Sequence, residues 1–337
     1  MGIRGLHICI KKKIPNIVKP VSWSTWENCR IGVDIQCFLY KAISRGDSPL
    51  EAIAEQISYF RKNKIKVIYI FDGKPPVEKD SVSDKRYLER KAAIDVCANL
   101  RKTLETCTTD RESLERQIRD LEMKYPSLTH ETKDEIKKFL YATGTMFISA
   151  NCEADTLLAY WFRRGVIDAV ASYDYDFIAR GCRLLVPTAK GLDKWEDFDP
   201  VKIRKGLGLT QSQFMDLCVL MGSDYTSDLP IVPWKSALTS LQNGDPIDVI
   251  WARHTFSNWR QLDMKERLEK EVAVLQKAKR ILNGEDDIPE SMMEAVQWDK
   301  WNTGVQNPEI ASIQQFKKTY QHWNNDWWTQ FEAAVCG

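Results

Sequence analysis

The sequence predicts an α/β protein with a mostly parallel central sheet flanked by helices. Three observations lead there: short apolar, β-branched runs alternate with helical patterns, acidic residues stand at the ends of those runs, and one long charged segment interrupts the alternation. Alternation of this kind marks βαβ units, and such a sheet binds its ligand at the carboxyl ends of its strands.

The runs, in order, are RIGVDI (30–35), KVIYIF (66–71), TMFIS (145–149), IDAVAS (167–172) and RLLVP (183–187). Helical patterns lie among them: QCFLYKAIS follows the first run, PLEAIAEQISYFRKNK precedes the second and EADTLLAYWFRR follows the third. Residues 78–142 are the interruption, dense in charge and poor in apolar period. They read as two or three surface helices joined by the polar turns around Thr108–Asp110 and at Tyr125-Pro126-Ser127, too weakly apolar to be core. Beyond Pro187 the pattern is helical, through TQSQFMDLCVLMG and WKSALTSLQ to a C-terminal third rich in tryptophan (Trp251, Trp259, Trp298, Trp301, Trp323, Trp327, Trp328). Packing is the expected role of those tryptophans.

A chain of 337 residues with 43% apolar content can bury one large core or two smaller ones, which argues against disorder. Its 48 Lys and Arg against 47 Asp and Glu leave a formal charge of +1. That near-zero sum does not exclude a nucleic-acid partner, because an acidic metal site and a basic track cancel in it. The longest apolar runs fall short of the roughly 20 residues that a spanning helix needs, so no membrane segment is expected. MGIRGLHICIKKK carries its basic residues after its apolar stretch, the reverse of a secretory signal, and an intracellular protein is expected. Nine scattered cysteines without a CxxC pair read as reduced, mostly buried thiols. With only His7, His130, His254 and His322, and no HExxH, any metal should be a hard ion held by oxygen.

The acids carry most of the functional information. Asp34 interrupts IGVDIQCF, where a buried carboxylate needs a partner or a cation. Asp72 follows KVIYIF, Glu153 and Asp155 open a helix after TMFIS, Asp174 and Asp176 follow IDAVAS in SYDYDF, and Asp224 ends an apolar helix in LMGSDY. Singly, each has an ordinary role as a helix cap, a dipole partner or a turn former. Jointly, acids at the same ends of successive strands repel one another unless cations sit among them. Seven carboxylates without a histidine suit two Mg²⁺ or Mn²⁺ ions, and the chemistry such a pair performs is phosphodiester hydrolysis.

At these residues the chain resembles the flap endonuclease/XPG family of structure-specific 5′-nucleases. The matching segments are MGIRGL, IGVDIQCFLY, YIFDGKPP, CEADTLLAY, SYDYDFIARGC and QFMDLCVLMGSDY, in the family's order within residues 1–240. The resemblance implies a PIN-like nuclease core over 1–77 and 143–200, a helical arch over 78–142 and a helix–two-turn–helix duplex-binding region over 201–245. A helical, Trp-rich region would follow over 246–337. It implies Asp34, Asp72, Glu153 and Asp155 on one Mg²⁺, and Asp174, Asp176 and Asp224 on a second, with Asp155 between them and Mn²⁺ able to substitute. Gly2 would bring the N-terminus beside the acids, and Tyr40 would stack on a base near the scissile bond. Lys79 and Arg86, seven residues apart on one helical face, would contact the scissile phosphate as catalytic residues. Arg90 and Lys91 would guide the 5′ strand, and Lys235 would reach a duplex phosphate.

The implied activity is hydrolysis of branched or 5′-ended DNA, as a flap endonuclease or a 5′→3′ exonuclease in replication, repair or recombination. The expected enzyme is a monomer acting in the nucleus or at another site of DNA replication, a viral replication compartment included. Departures from the family shape this expectation. Where the family follows GSDY with a glycine-bearing GIGP turn, this chain has SDLPIVPWKSA, and Ile231 and Pro233 forbid backbone conformations that glycine permits. An altered duplex grip is expected. The stretch between Asp34 and Asp72 is short for a 3′-flap pocket, and CEADTLLAY and FIARGC lean towards the mismatch-repair exonuclease. In QHWNNDWW, Asn324 takes the aliphatic position of a sliding-clamp peptide, so clamp binding is not expected. The alternatives are an RNA-cutting relative, which the altered turn permits, and an inactive nucleic-acid-binding scaffold, against which the intact acids argue.

Overall fold

A computed structural model describes residues 2–73, 80–106, 110–188, 194–255, 262–283, 308–320 and 325–336. The chain divides into two compact units, one of Met1–Ser22 with Cys152–Met293 and the other of Trp23–Asn151 with Glu294–Gly337. The fold is α/β with mostly parallel strands, as the alternation predicts.

In the second unit, strands β2 (Arg30–Asp34), β3 (Lys66–Phe71) and β4 (Met146–Ser149) run parallel, with Asp34 opposite Ile70 and Phe71 opposite Ser149. Ile31, Val33, Ile68 and Ile70 are wholly buried, which is why RIGVD and KVIYIF read as continuous apolar runs. Helix α2 (Ile35–Ile43) starts where β2 stops, because the Asp34 carboxylate accepts the Cys37 amide and caps it. In α3 (Pro49–Lys62), Ser48 is the N-cap, Pro49 takes the first turn, and Leu50, Ile53, Ala54, Ile57 and Phe60 form the buried stripe.

The charged interruption forms three helices, α4 (Asp80–Thr106), α5 (Arg111–Lys124) and α6 (His130–Ala142). The first two pack on each other and expose Tyr87, Leu88, Ile94 and Val96, as a surface insertion should. The third corrects the expectation for this stretch. Thr129 caps α6, which buries Ile136, Phe139 and Leu140 and belongs to the core. Its four-residue-spaced apolar stripe is masked in the sequence by the charges around it. Of the two turns named there, Tyr125-Pro126-Ser127 does separate α5 from α6, whereas Thr108 lies outside the described residues.

Helices α14 (Ile310–Thr319) and α15 (Asn325–Cys336) complete this unit. The Phe139 ring meets Phe316 at 5.1 Å and Phe331 at 5.5 Å, and Trp328, wholly buried, meets Phe331 at 5.8 Å. Arg61 of α3 locks the arrangement. It donates to the Val335 carbonyl at 2.8 Å, to the Thr143 carbonyl and to the Thr145 hydroxyl at 3.2 Å.

The first unit holds β1 (Lys19–Pro20), β5 (Ala169–Ala171), β6 (Leu184–Pro187) and β7 (Trp195–Phe198). β5 and β6 are parallel, while β7 runs antiparallel to β6 and β1 antiparallel to β7. The apolar runs do not announce β1 or β7. WEDF has two apolar residues, and its middle is held by charge, with the Arg183 guanidinium forked onto Asp197 and Lys11 on Glu196. The helices are α1 (Leu6–Lys13), α7 (Ala154–Arg163), α8 (Asp176–Ala179), α9 (Pro200–Gly206), α10 (Gln211–Leu220), α11 (Trp234–Gln242), α12 (Ile247–Thr255) and α13 (Leu262–Asn283). Trp251 is wholly buried and donates to Glu271 at 2.9 Å, a packing role as expected. Trp259, Trp298, Trp301 and Trp323 lie outside the described residues. The described cysteines are free thiols, and Cys9, Cys37, Cys97, Cys182 and Cys218 are buried.

Replacing Arg61 by Met strands two carbonyl acceptors and should cost about 2 kcal/mol. The check is the urea midpoint of the variant, together with faster proteolysis of its C-terminal helix.

Candidate active site

In the second unit, Asp34 and Asp72 close two neighbouring parallel strands at their carboxyl ends, as expected. Asp34 is 9% exposed and spends one oxygen on the α2 cap. Asp72 is exposed and accepts the Gln36 side-chain amide at 2.5 Å. Gln36, 8% exposed, went unnoticed in the sequence, although an amide inside IGVDIQCFLY is as conspicuous as the acid beside it.

Tyr40 lies on α2 one turn beyond Gln36. The structure brings it to Arg90 of α4, which donates to the Tyr40 hydroxyl at 3.1 Å with its guanidinium 5.9 Å from the ring centroid. Two residues assigned to strand handling thus form one unit. Arg86 and Lys91 are exposed on the same helix, and the Arg86 carbonyl accepts from Arg90 at 3.2 Å. Lys79 lies outside the described residues.

In the first unit, Glu153 occupies the N-cap position of α7 without capping it, and Asp155 stands in the first turn. Asp174 and Asp176 follow β5 and are bound in series. The Asp174 amide donates to Ser172 Oγ at 3.0 Å, the Asp176 amide to Asp174 Oδ1 at 2.9 Å, and the Ile3 amide to Asp176 Oδ1 at 2.7 Å. Gly2 therefore lies beside these acids. Its φ is +81°, and a Cβ there would stand 2.0 Å from Asp174 Oδ1 and 2.6 Å from Asp176 Oδ1. The Arg4 amide then donates to Gly222 at 3.0 Å, just before Asp224. Between the two acids, Tyr175 stacks on His7 at 5.2 Å, and burial and then the Glu196 carboxylate push its phenol up to about 12.

A second contributor missed in the sequence is Arg180, whose side chain is 1% exposed. It donates to Asp155 Oδ2 at 3.1 Å and to the Tyr225 hydroxyl at 3.0 Å. Burial alone would lower its pKa; the fields of Asp155, Tyr225 and Asp176 outweigh burial and raise it, so the guanidinium is charged. Its signal in the sequence is an arginine inside the apolar stretch FIARGC.

The turn at 231–235 is built around Gly222 (φ +93°), where a Cβ would meet Ile231 Cγ2 at 2.7 Å. The Val232 amide closes it onto the Leu220 carbonyl at 2.8 Å, and Pro233 precedes α11. Lys235 is exposed, and with Lys13 of α1 it flanks Trp234, at 5.8 and 6.0 Å from the ring.

The donor set is all oxygen, which fits hard divalent ions. Only glycine fits at position 2, since an added Cβ would strike the carboxylate oxygens of Asp174 and Asp176. Among the described residues, no three His, Cys, Asp or Glu side chains stand close enough, as placed, to grip an ion. Amide, carboxamide and guanidinium donors hold the acids instead.

Acids at strand ends on this α/β frame suit a phosphodiester-hydrolysing nuclease, and the comparisons give that class. The XPG N-terminal domain matches residues 1–93 and the XPG I-region matches residues 144–224. The chain is similar to flap endonuclease 1 of Entamoeba histolytica, 30% identical over 269 residues that cover 74% of this chain and 69% of that protein. Its fold is similar to that of flap endonuclease-1 from Methanococcus jannaschii, with a TM-score of 0.60 and 18% identity over 99% of this chain and 98% of that one. It is likewise similar to the catalytic core of Rad2 in complex with DNA substrate, with a TM-score of 0.60 and 19% identity over 99% and 100%. The chain belongs to the flap endonuclease/XPG family of structure-specific 5′-nucleases, enzymes that depend on metal ions. Among the described residues, no helix is long and apolar enough to cross a membrane.

Gly2→Ala should lower kcat by more than about tenfold by displacing Asp174 and Asp176, at a stability cost of about 1 kcal/mol for the positive φ. Cleavage kinetics beside a thermal melt separate the two effects.

Proposed function

We propose that this nuclease cuts DNA at or near a 5′ flap or 5′ end, as a monomer, with two Mg²⁺ ions. By the resemblance to the family, Asp34, Asp72, Glu153 and Asp155 would hold one ion and Asp174, Asp176 and Asp224 the other. What supports this reading is the Gly2–Asp174–Asp176 cradle, where main-chain amides fix both acids and only a glycine fits beside them. Bound divalent ions supply a water of lowered pKa and positive charge for the attacked phosphate and the leaving oxygen.

The chain's own residues do the rest. Gln36 orients Asp72 by its carboxamide, and Arg180 orients Asp155. Tyr40, steadied by Arg90, offers a ring face to the base beside the scissile bond. Arg86, with Lys79, neutralises charge on the phosphate, and Lys91 guides the 5′ strand. Residues 78–142 act as the arch and 201–245 as the duplex-binding region. There, Lys235 beside Trp234 offers a cation to a backbone phosphate on a turn without the family's glycines. The place of action is where DNA is replicated or repaired, in the nucleus or a viral replication compartment.

The test is cleavage of a 5′-labelled DNA flap, with matched single-stranded DNA and RNA, in Mg²⁺ or EDTA. Mg²⁺-dependent cutting near the flap junction is expected, falling by at least about 10³-fold in Asp174→Asn/Asp176→Asn. Cutting of RNA alone would replace DNA as the substrate, and no cutting by folded wild type would overturn the reading. Lys235→Ala should raise KM for the duplex-bearing flap and reduce its salt dependence by about one phosphate contact, while cleavage of single strands stays unchanged.

A further inference from the structure

We propose that Arg180 is a positioning residue that balances the charge of Asp155 and ties together the three chain segments that carry Asp155, Asp176 and Asp224. This inference rests on the metal-binding reading of Asp155, Asp176 and Asp224. Arg180 ends the turn of helix that Asp176 begins, and its amide donates to the Asp176 carbonyl at 2.9 Å. Its guanidinium reaches Asp155 at the start of α7 and the hydroxyl of Tyr225, the residue after Asp224. One cation thereby touches the chain segments of Asp155, Asp176 and Asp224.

The burial makes this more than a surface pair. An arginine cannot shed its charge, and at 1% side-chain exposure it needs an anion beside it. Asp155 is 12% exposed on the side-chain scale, so the pair is screened little by solvent. The contact engages Oδ2, while Oδ1 accepts the Thr156 hydroxyl at 3.2 Å, a weaker bond that an ion can displace. Asp155 is thus fixed through Oδ2 by the guanidinium and through Oδ1 by the weaker hydroxyl bond. A buried carboxylate without such a partner would stay in place only when an ion was bound.

The test compares wild type with Arg180→Met and Arg180→Lys by thermal melts in EDTA and in Mn²⁺, by Mn²⁺ titration followed by electron paramagnetic resonance, and by cleavage kinetics. Arg180→Met should melt several degrees below wild type in EDTA and regain most of that loss in Mn²⁺. Its kcat should fall more than about tenfold with KM little changed, and Arg180→Lys should recover part of both. An equal loss of melting temperature with and without Mn²⁺, or an unchanged kcat, would reduce Arg180 to a packing role and overturn the inference. If Arg180→Met does not fold, Arg180→Lys is judged by the same two readouts, and Arg180→Met/Asp155→Asn should fold in EDTA because both charges are gone; failure of that double variant would also overturn it. Wild type that binds no Mn²⁺ would sink the metal-binding reading itself, whereas wild type that binds it beside an indifferent Arg180→Met would sink this inference alone.

Discussion

Repulsion between carboxylates is the constraint on which this structure turns. Asp174 and Asp176 stand two residues apart, with Asp176 only 2% exposed, and a bare pair of that kind would favour protonation or unfolding over ionised burial. The chain answers with donors that cannot leave. Main-chain amides take Asp176 and the oxygens of Asp174 and Asp34, a carboxamide takes Asp72, and a buried guanidinium takes Asp155. Much of the local architecture serves that assignment, from the immediate start of α2 after β2 to the return of the N-terminal segment beside the turn of α8.

The fold was largely legible because strands buried on both faces spell themselves as unbroken apolar runs, as KVIYIF and RIGVD do. Legibility failed where charge does the holding. WEDF became a strand through its Arg183 and Lys11 pairs, which no periodicity reveals, and α6 hid a core stripe of Ile136, Phe139 and Leu140 among lysines and acids. The positions of the acids at run ends were legible. Their partners were not, because Gln36 and Arg180 declare a function only once folding shows which carboxylate each one faces.

The turn beyond Asp224 shows how a departure from a family pattern can be internally consistent. Ile231 and Pro233 replace backbone freedom with side-chain packing, since Ile231 rests against Gly222 and the Val232 amide closes the loop onto α10. A rigid turn of this type presents side chains, here Trp234 between two lysines, where a glycine turn presents main-chain groups. Recognition of a backbone phosphate would then depend more on charge and less on amide geometry.

The bond from the Ile3 amide to Asp176 has a consequence for how this site can change over generations. Because the donor belongs to the main chain, it has no protonation state to vary between compartments, and the side chain at position 3 bears on it only through packing, Ile3 being 3% exposed. The neighbouring position is a different case, since the space at Gly2 closes with the first added carbon. The two positions are therefore constrained differently, position 2 by the space beside the acids and position 3 by apolar packing, and at position 3 proline would also remove the donor.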